Sequence, residues 1–385
     1  MSSVPNDSPI ADGSREAARV IVWDPFIRLF HWLLVAAVAM AITTSLILPI
    51  TWLGWHLAAG IATLALVAAR IVWGLLGPTF ARFSSFVTAP GDLLHHLREL
   101  HHGVARRHRG HNPLGGAMIL ALIAVVVAIG ASGTIALGGA LKIGPLAFAV
   151  DYTSGRTAWS VHQWLVYGLL GLIAIHIAGA IYESRRTREN LVRAMIDGRK
   201  EARRADITAP PHGSSPGLAT VIVAILIVGI VPAVIVMMRW PAAGVPEHPL
   251  DKVYVQECGA CHVAYHPTLL PAATWAAIMD GLAQHFGENA ELDPAKAQAI
   301  RTYLLANAAE HYDTLPAHAF LQPNPADPLR MTATTFWARR HASLSPQVFS
   351  SKPVGSKGQC DACHQDAASG RFSPLAIAVP EETPP

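Results

Sequence analysis

Apolar residues in this chain are gathered into five long runs, and polar residues are concentrated between them. A helix needs about 20 apolar residues to cross the hydrocarbon core of a bilayer. Asp24-Pro25 is a helix-start signal before the first run, and the segment APPHGSSPG separates the fourth run from the fifth. The pattern predicts transmembrane helices over residues 26–47, 55–76, 113–137, 158–182 and 218–238.

The composition supports a membrane protein with an additional domain. Of the 385 residues, 52% are hydrophobic and only 14% are charged, which excludes an ordinary soluble protein. A net charge of +3 is too small to indicate nucleic-acid binding. The first 19 residues are polar and lack a signal-peptide core, so we expect an uncleaved first helix after a disordered cytoplasmic segment, residues 1–20.

The placement of arginine predicts the orientation. The loops after the second and fourth runs are rich in arginine, whereas the loop after the first run, LPITWLGW, has no charge. Because basic loops stay on the cytoplasmic side, the N-terminus is expected in the cytoplasm. Five spans then place everything after Trp240 in the periplasm, beside the inner membrane of a bacterium.

Two histidines lie within the fourth run, His162 and His176, fourteen residues apart. Four helical turns separate them, so both rings leave the same face of the helix, about 21 Å apart along its axis. Ionisable side chains inside a membrane span are costly and indicate function. The separation suits two haems, one near each membrane surface; hydrogen bonds to neighbouring helices are the alternative.

Histidines in the other spans pair with these two by membrane depth. In the predicted topology His31 lies at the inner depth of His176, and His56 lies at the outer depth of His162. Two haem b groups, each held by two histidines, follow from this pairing. Arg70 lies fourteen residues after His56, and we expect it to bind a propionate of the inner haem; an arginine reaching the inner interface is the alternative.

Several segments resemble the bacterial cytochrome b561 family, which includes the cytochrome b subunits of nickel-iron hydrogenases. They are VWDPFIRLFHW, WHLAAG, RIVWGLLGPTFARF, GHNPLGG and ENLVRAMIDGRK, which occur in this order between about residues 23 and 200. The resemblance implies a four-helix bundle with two b haems that exchanges electrons with the membrane quinone pool. It also implies that His31, His56, His162 and His176 are the iron ligands.

The basic loop after the second run carries six histidines. A cytoplasmic metal site there is one interpretation. We favour the other, a solvated amphipathic segment facing the membrane. The histidines are His95, His96, His101, His102, His108 and His111.

After Trp240 the chain contains two copies of CxxCH, the attachment motif of c-type haem. The two thiols bond to the haem and the adjacent histidine binds the iron. The two copies use every cysteine in the chain, and no βαβ pattern supports a thioredoxin-like pair, while a zinc site does not account for the periplasmic placement. The motif residues are Cys258, Cys261, His262, Cys360, Cys363 and His364.

Each c haem needs a sixth ligand or keeps an open position. His266 is only four residues past His262, too close to reach the far side of the same haem. The residues alone leave a wider set open: His266, His285, His311, His318, His341, Met279 and Met331.

The region from Cys258 to residue 380 resembles the small diheme cytochrome c family. The segments that carry the resemblance are AYHPTLLPAATWAAIMDGLAQHFGENAELD, TFWARRH and CDACHQDAASGRF. It implies that both haems have two histidine ligands, with His285 and His341 as the distal ones. Which of the two serves which haem stays open.

Together these features predict an all-α protein that carries electrons. The predicted parts are residues 1–20, a b561-like domain over 21–205, a linker and fifth helix over 206–245, and a diheme c domain over 246–385. We expect two b and two c haems to carry electrons from membrane quinol to a soluble periplasmic c-type haem protein, with no catalytic side chain. Reverse flow to quinone, a terminal haem enzyme with one open iron, and a homodimer stay open.

Overall fold

A computed structural model describes residues 19–209 and 213–380. Most of the predicted disordered N-terminal segment, up to residue 18, lies outside the described residues. Within the described ranges the chain is mostly helical, and five helices are long and apolar enough to span a membrane. The predicted fold class is therefore confirmed. The five are α1 (Pro25–Leu46), α2 (Leu53–Leu76), α4 (Pro113–Ala140), α5 (Tyr152–Thr187) and α7 (Pro216–Met237), and the short helix α3 (Pro90–His101) lies between α2 and α4.

Helix α5 is longer than its apolar run, which covers residues 158–182. The helix begins at Tyr152, where Asp151 accepts a hydrogen bond from the backbone N–H of Ser154 at 2.9 Å. A polar turn at each end therefore extends the helix beyond the apolar run. Arg156 lies inside the helix as a result.

Two compact units divide the chain, and each long helix contributes to both. The first unit contains the residues up to Ala36, Thr63–Val126 and Gly168–Leu226. The second contains Ala37–Ala62, Val127–Tyr167 and Ile227–Pro385.

The first unit holds a small sheet that the sequence pattern did not predict. Strand β1 (Arg19–Ile21) pairs antiparallel with β2 (Arg199–Glu201), which follows helix α6 (Leu191–Asp197). Trp23, next to β1, is buried among Val22, Ile27, Ala81 and Ala194. The sheet thus ties the start of α1 to the segment after α5.

Ion pairs connect the loops of the first unit. Arg107 donates hydrogen bonds to the carboxylates of Glu189 and Asp206, which are 7% and 1% exposed. Because a carboxylate is rarely buried without a partner, this pairing fixes the loop after α3 against the segment after α5.

The region after α7 forms six short helices in the second unit. Asp293 caps α10 and Pro294 occupies its first turn. The hydrophobic core includes Tyr254, Trp275 and Ile300. The helices are α8 (Lys252–Cys258), α9 (Ala272–Asp280), α10 (Pro294–Ala306), α11 (Leu315–Phe320), α12 (Thr335–Arg340) and α13 (Pro346–Ser350).

A polar cluster joins this helical region to the loop between α4 and α5. Asp313 accepts hydrogen bonds from Nζ of Lys142 at 2.6 Å and from the backbone N–H of Tyr152 at 2.8 Å. Its other oxygen lies 2.8 Å from Nε2 of His318, whose ring stacks on Tyr152 at 4.3 Å. The backbone N–H of Asp313 donates to Gly244, just after α7. This cluster fixes the helical region against a loop of the spans.

Candidate functional site

Two predicted haem ligands face each other in the second unit. His56 on α2 and His162 on α5 have ring centres 6.3 Å apart. Nδ1 of His56 lies 3.0 Å from the carbonyl of Ala41, and Nδ1 of His162 lies 2.9 Å from that of Ile129. A carbonyl only accepts, so each Nδ1 carries the proton and each Nε2 keeps its lone pair. Both rings are oriented as metal-binding histidines are.

The separation of these rings fits one iron ion between them. An imidazole nitrogen lies about 2 Å from a metal that it binds. Two imidazoles on opposite sides of one ion have ring centres about 6 Å apart, because each ring centre lies about 1 Å beyond its nitrogen. The distance between His56 and His162 therefore matches a six-coordinate haem iron.

The other pair in the spans, His31 and His176, lies in the first unit. The two imidazoles are close enough to interact electrostatically. Nδ1 of His31 is buried without a hydrogen-bond partner. The structure thus brings together the two histidines that the depth argument paired.

Arg70, the predicted propionate partner, is 3% exposed in the first unit. Its guanidinium lies over the ring of Phe83 at 4.9 Å, and Asp24 is its electrostatic neighbour. Nη1 is buried and has no hydrogen-bond partner. A buried unpaired cationic donor is costly, so this nitrogen suits an anionic group such as a haem propionate.

The same spacing recurs at both CxxCH motifs. The rings of His262 and His285 have centres 6.3 Å apart, and those of His341 and His364 have centres 6.2 Å apart. Nδ1 of His262 donates to the carbonyl of Val263 at 2.7 Å, and Nδ1 of His341 donates to that of Trp337 at 2.9 Å. The geometry therefore places His285 opposite the first motif and His341 opposite the second.

The motif thiols lack the environment of redox-active cysteines. Burial raises the pKa of Cys258 to about 11, and Glu257 adds to the effect. Burial likewise raises the pKa of Cys360 to about 11, with Asp361 nearby. Reactive thiols have a lowered pKa, so these two residues fit covalent attachment of a group better than thiol exchange.

The other candidate ligands have protein partners of their own. His266 is 4% exposed, and its Nδ1 accepts a hydrogen bond from the backbone N–H of Thr268 at 3.3 Å. Burial lowers the pKa of His266 to about 4, so it is neutral at ordinary pH. His318 binds Asp313, His311 is exposed, and Met331 is part of the core.

The histidine-rich loop differs from the expected solvated segment. His96 is 2% exposed, and its ring is perpendicular to that of His108 at 5.5 Å. His111 packs against Trp23 at 4.5 Å and Phe86 at 4.8 Å. The solvated interpretation is wrong for His96, because α3 turns that side chain inward. Within residues 19–209 and 213–380 no three metal-binding side chains come together.

Comparisons with known proteins match the chain in two parts. Residues 22–198 match the family model of prokaryotic cytochrome b561, and residues 254–372 match that of dihaem cytochrome c. A search of curated proteins gives no match.

Solved structures match the second part. The crystal structure of DHC purified from Rhodobacter sphaeroides is 38% identical, over 31% of this chain and 95% of that chain, with a TM-score of 0.25. The new diheme cytochrome type c from Shewanella baltica OS155, sb-DHC, is 35% identical, over 35% of this chain and 96% of that chain, with a TM-score of 0.28.

Both resemblances stated from the sequence are confirmed by these matches. The first family implies b haems and the second implies two c haems, in keeping with the two CxxCH motifs. Together they imply electron transfer by a membrane cytochrome. Residues 22–198 are therefore a prokaryotic cytochrome b561 domain, and residues 254–372 are a dihaem cytochrome c domain.

Proposed function

We propose that this protein carries electrons across the bacterial inner membrane, from quinol in the bilayer to a soluble c-type haem protein in the periplasm. One observation carries the proposal: three histidine pairs within one compact unit have ring centres 6.2–6.3 Å apart. A second imidazole opposite each motif histidine favours six-coordinate iron, which transfers electrons without binding a substrate.

Four histidine pairs are the proposed haem sites. Haem, when bound, supplies one-electron redox chemistry at each of them. The protein holds the imidazoles in place through Nδ1–H bonds to backbone carbonyls at four of these eight histidines. The proposed pairs are His31 with His176, His56 with His162, His341 with His364, and His262 with His285.

The proposed orientation puts the N-terminus in the cytoplasm and the dihaem region in the periplasm. It rests on the arginines between α5 and α7 and on the uncharged loop between α1 and α2. The need to assemble c haems outside the cytoplasm supports the same orientation.

Anaerobic mixing of the full chain in lipid nanodiscs with a short-chain quinol tests this proposal. We expect the b-haem bands to become reduced first and the c-haem bands to follow. The His176→Ala variant should lose quinol-driven reduction of the c haems, whereas His102→Ala, at an exposed histidine of the loop after α3, should behave as the unaltered protein.

Two results would replace the proposal. If electrons flow faster from a reduced soluble haem protein to quinone than from quinol to that protein, the direction of electron transfer is the reverse of the one proposed. Carbon monoxide binding to the reduced protein would reveal an open iron position and support a terminal haem enzyme instead.

A further inference from the structure

The dihaem region is electrically polarised along its sequence. Residues 246–313 contain nine carboxylates and three cations, whereas residues 314–385 contain six cations and five carboxylates. The first motif, with His262 and His285, lies in the acidic half, and the second motif, with His341 and His364, lies in the basic half. The half of the region that holds the first haem site is therefore strongly negative, whereas the half that holds the second is slightly positive.

The second haem site is connected to the spans through a segment that follows its own motif. The backbone N–H of Gln365 donates to the carbonyl of Ala376 at 3.0 Å, and that of Ala378 donates to Cys363 at 2.8 Å. The turn Pro374–Ala376 in this segment packs against the turn Ile50–Trp52, which directly precedes α2. One short segment thus links the second motif to the helix that carries His56.

Further contacts of the basic half support this connection. Arg371–Pro374 line a recess together with Ala140, Leu141 and Lys142 at the end of α4. Arg340, next to His341, interacts electrostatically with Tyr152 at the start of α5. Electrons that arrive from the spans therefore meet the second site before the first.

The two motifs are in direct contact with each other. The backbone N–H of Val263, which follows His262, donates to Oε1 of Gln359 at 3.2 Å, and Gln359 directly precedes Cys360. The first site is consequently the next position after the second, and the end of the path.

The surface beside His285 has the features of a docking face. Phe286 is 52% exposed, and its ring meets that of His285 edge-on at 5.0 Å. Its φ of +52° is unusual for a bulky residue, so the fold holds this ring outward at a conformational cost. An exposed aromatic ring surrounded by charge is typical of the centre of a transient interface.

Carboxylates lie close to Phe286 in the sequence. Glu288 and Glu291 are exposed and have no cationic partner among the described residues, and Asp280, paired with Arg301, lies nearby in sequence. Arg330, over the Phe286 ring at 5.0 Å, is paired with Asp327. At the second site Phe372, which also has a positive φ, contacts His364 at 5.1 Å and packs against the hydrophobic core.

We infer that a soluble protein with a basic surface docks on the face formed by Phe286, Glu288 and Glu291, and that electrons leave the chain there. This inference rests on the proposed function, because it identifies the exit of the same path. The exchange would be a single-electron transfer, in which ferric iron of the partner would be reduced and a ferrous haem iron held by His262 and His285 would be oxidised. No covalent bond forms or breaks.

Binding between fully oxidised proteins tests the face without electron transfer. The probe is a lysine-rich soluble cytochrome c, titrated calorimetrically into the full chain in nanodiscs of uncharged lipid at low salt. We expect the Glu288→Gln/Glu291→Gln variant to bind about 5-fold more weakly. Glu247→Gln, an exposed carboxylate two residues from the recess at Val245, should bind as the unaltered chain does.

A probe of opposite charge separates the two faces. The same cytochrome c with succinylated lysines should bind weakly to every form of the chain. If it binds more tightly than the basic probe, and Lys352→Gln/Lys357→Gln removes that binding, the docking face is the basic half and the inference is wrong. Equal binding of the basic probe to all variants would also overturn it.

Kinetics with dithionite-reduced protein distinguish this inference from the proposed function. Because dithionite supplies the electrons, oxidation of the c haems by the basic probe does not depend on quinol. At low salt we expect a lower second-order rate constant for the Glu288→Gln/Glu291→Gln variant than for the unaltered chain. At high salt the two rate constants should become equal. The Phe286→Ala variant should have a lower rate constant at both low and high salt. If these effects appear while quinol fails to reduce the protein, the docking face is supported and the proposal that quinol is the electron donor is wrong.

Discussion

Replacing Asp313 with asparagine should loosen the dihaem region from the loop between α4 and α5. The carboxylate accepts hydrogen bonds from Nζ of Lys142 and the backbone N–H of Tyr152, and it binds His318. Asparagine keeps one acceptor oxygen but loses the charge. Lys142, 5% exposed, would then be a buried cation with only the carbonyl of Val150 as a partner.

The size of the effect follows from the burial of the pair. Breaking a fully buried ion pair costs about 3–5 kcal/mol. The Asp313 side chain is 31% exposed, so solvent reduces the loss to about 2 kcal/mol. Since 1.4 kcal/mol is about a factor of 10, the open form of this contact should become ~30-fold more populated.

Hydrogen–deuterium exchange measures that opening directly. Amides that exchange only from the open form report its population. We expect peptides covering residues 142–152 and 313–318 to exchange ~30-fold faster in Asp313→Asn. Asp327→Asn, which breaks an ion pair with the 53% exposed side chain of Arg330, is the matched control and should leave these peptides unchanged. Exchange in Asp313→Asn within a factor of about 3 of the unaltered chain would show that this ion pair does not hold the contact closed.

The same contact has a defined pH dependence. Burial acts to raise the pKa of Asp313, but hydrogen bonds from Lys142 and His318 outweigh it and hold the pKa below its ordinary value. A lowered pKa stabilises the closed form above the ordinary value of about 3.9, and the stabilisation is lost as pH falls through the closed-state pKa. The protection factors of residues 142–152, which correct for the intrinsic pH dependence of amide exchange, should fall only in that acidic range. A fall in these protection factors between about pH 5 and 8 would contradict the assignment.

Three further substitutions test the haem sites. His285→Ala should convert one c haem to the high-spin form and leave the other low-spin in paramagnetic resonance spectra, with exposed His311→Ala as the control; an unchanged spectrum would remove His285 from the ligands. His56→Ala should lower the b-haem content from two to one per chain, and full retention would break the pairing with His162. Arg70→Gln should lower the midpoint potential of one b haem by ~60 mV, about 1.4 kcal/mol for one electron, because it removes a nearby positive charge. Arg70→Lys should restore most of this, whereas equal potentials in all three forms would exclude Arg70 from the haem environment.

The spans and their histidines could be predicted because the membrane imposes a strong pattern. Long apolar runs define the helices, and basic loops predict their direction, so each histidine acquires a depth. The pairing of His56 with His162 needed no tertiary information beyond that depth. The two CxxCH motifs could also be recognised from the sequence, because each is a short segment of consecutive residues.

Contacts between segments that are distant in the chain could not be predicted from the sequence. Strands β1 and β2 are three residues each and pair opposite ends of the first unit, so no local periodicity predicts them. The partners of Lys142 and His318 depend on how the helical region meets the spans. The one sequence feature that indicated such a contact was Lys142, a charged residue in a short loop next to an apolar run.

Burial also changed the interpretation of single histidines. His96 was expected in solvent because its loop is rich in charge, yet α3 is amphipathic and turns it inward. The sequence could not show which of His285 and His341 lies opposite His262 and which lies opposite His364. Sequence order does not determine which haem a distant residue reaches.

We propose that four pairs of histidines each hold one six-coordinate haem. A pyridine haemochrome assay of the purified chain, with oxidised and dithionite-reduced spectra beside it, measures the haem types and their number. We expect two b haems and two c haems per chain, all low-spin in both redox states. A missing b haem would contradict the pairing of the membrane histidines, and a high-spin c haem would show that one iron lacks its second imidazole.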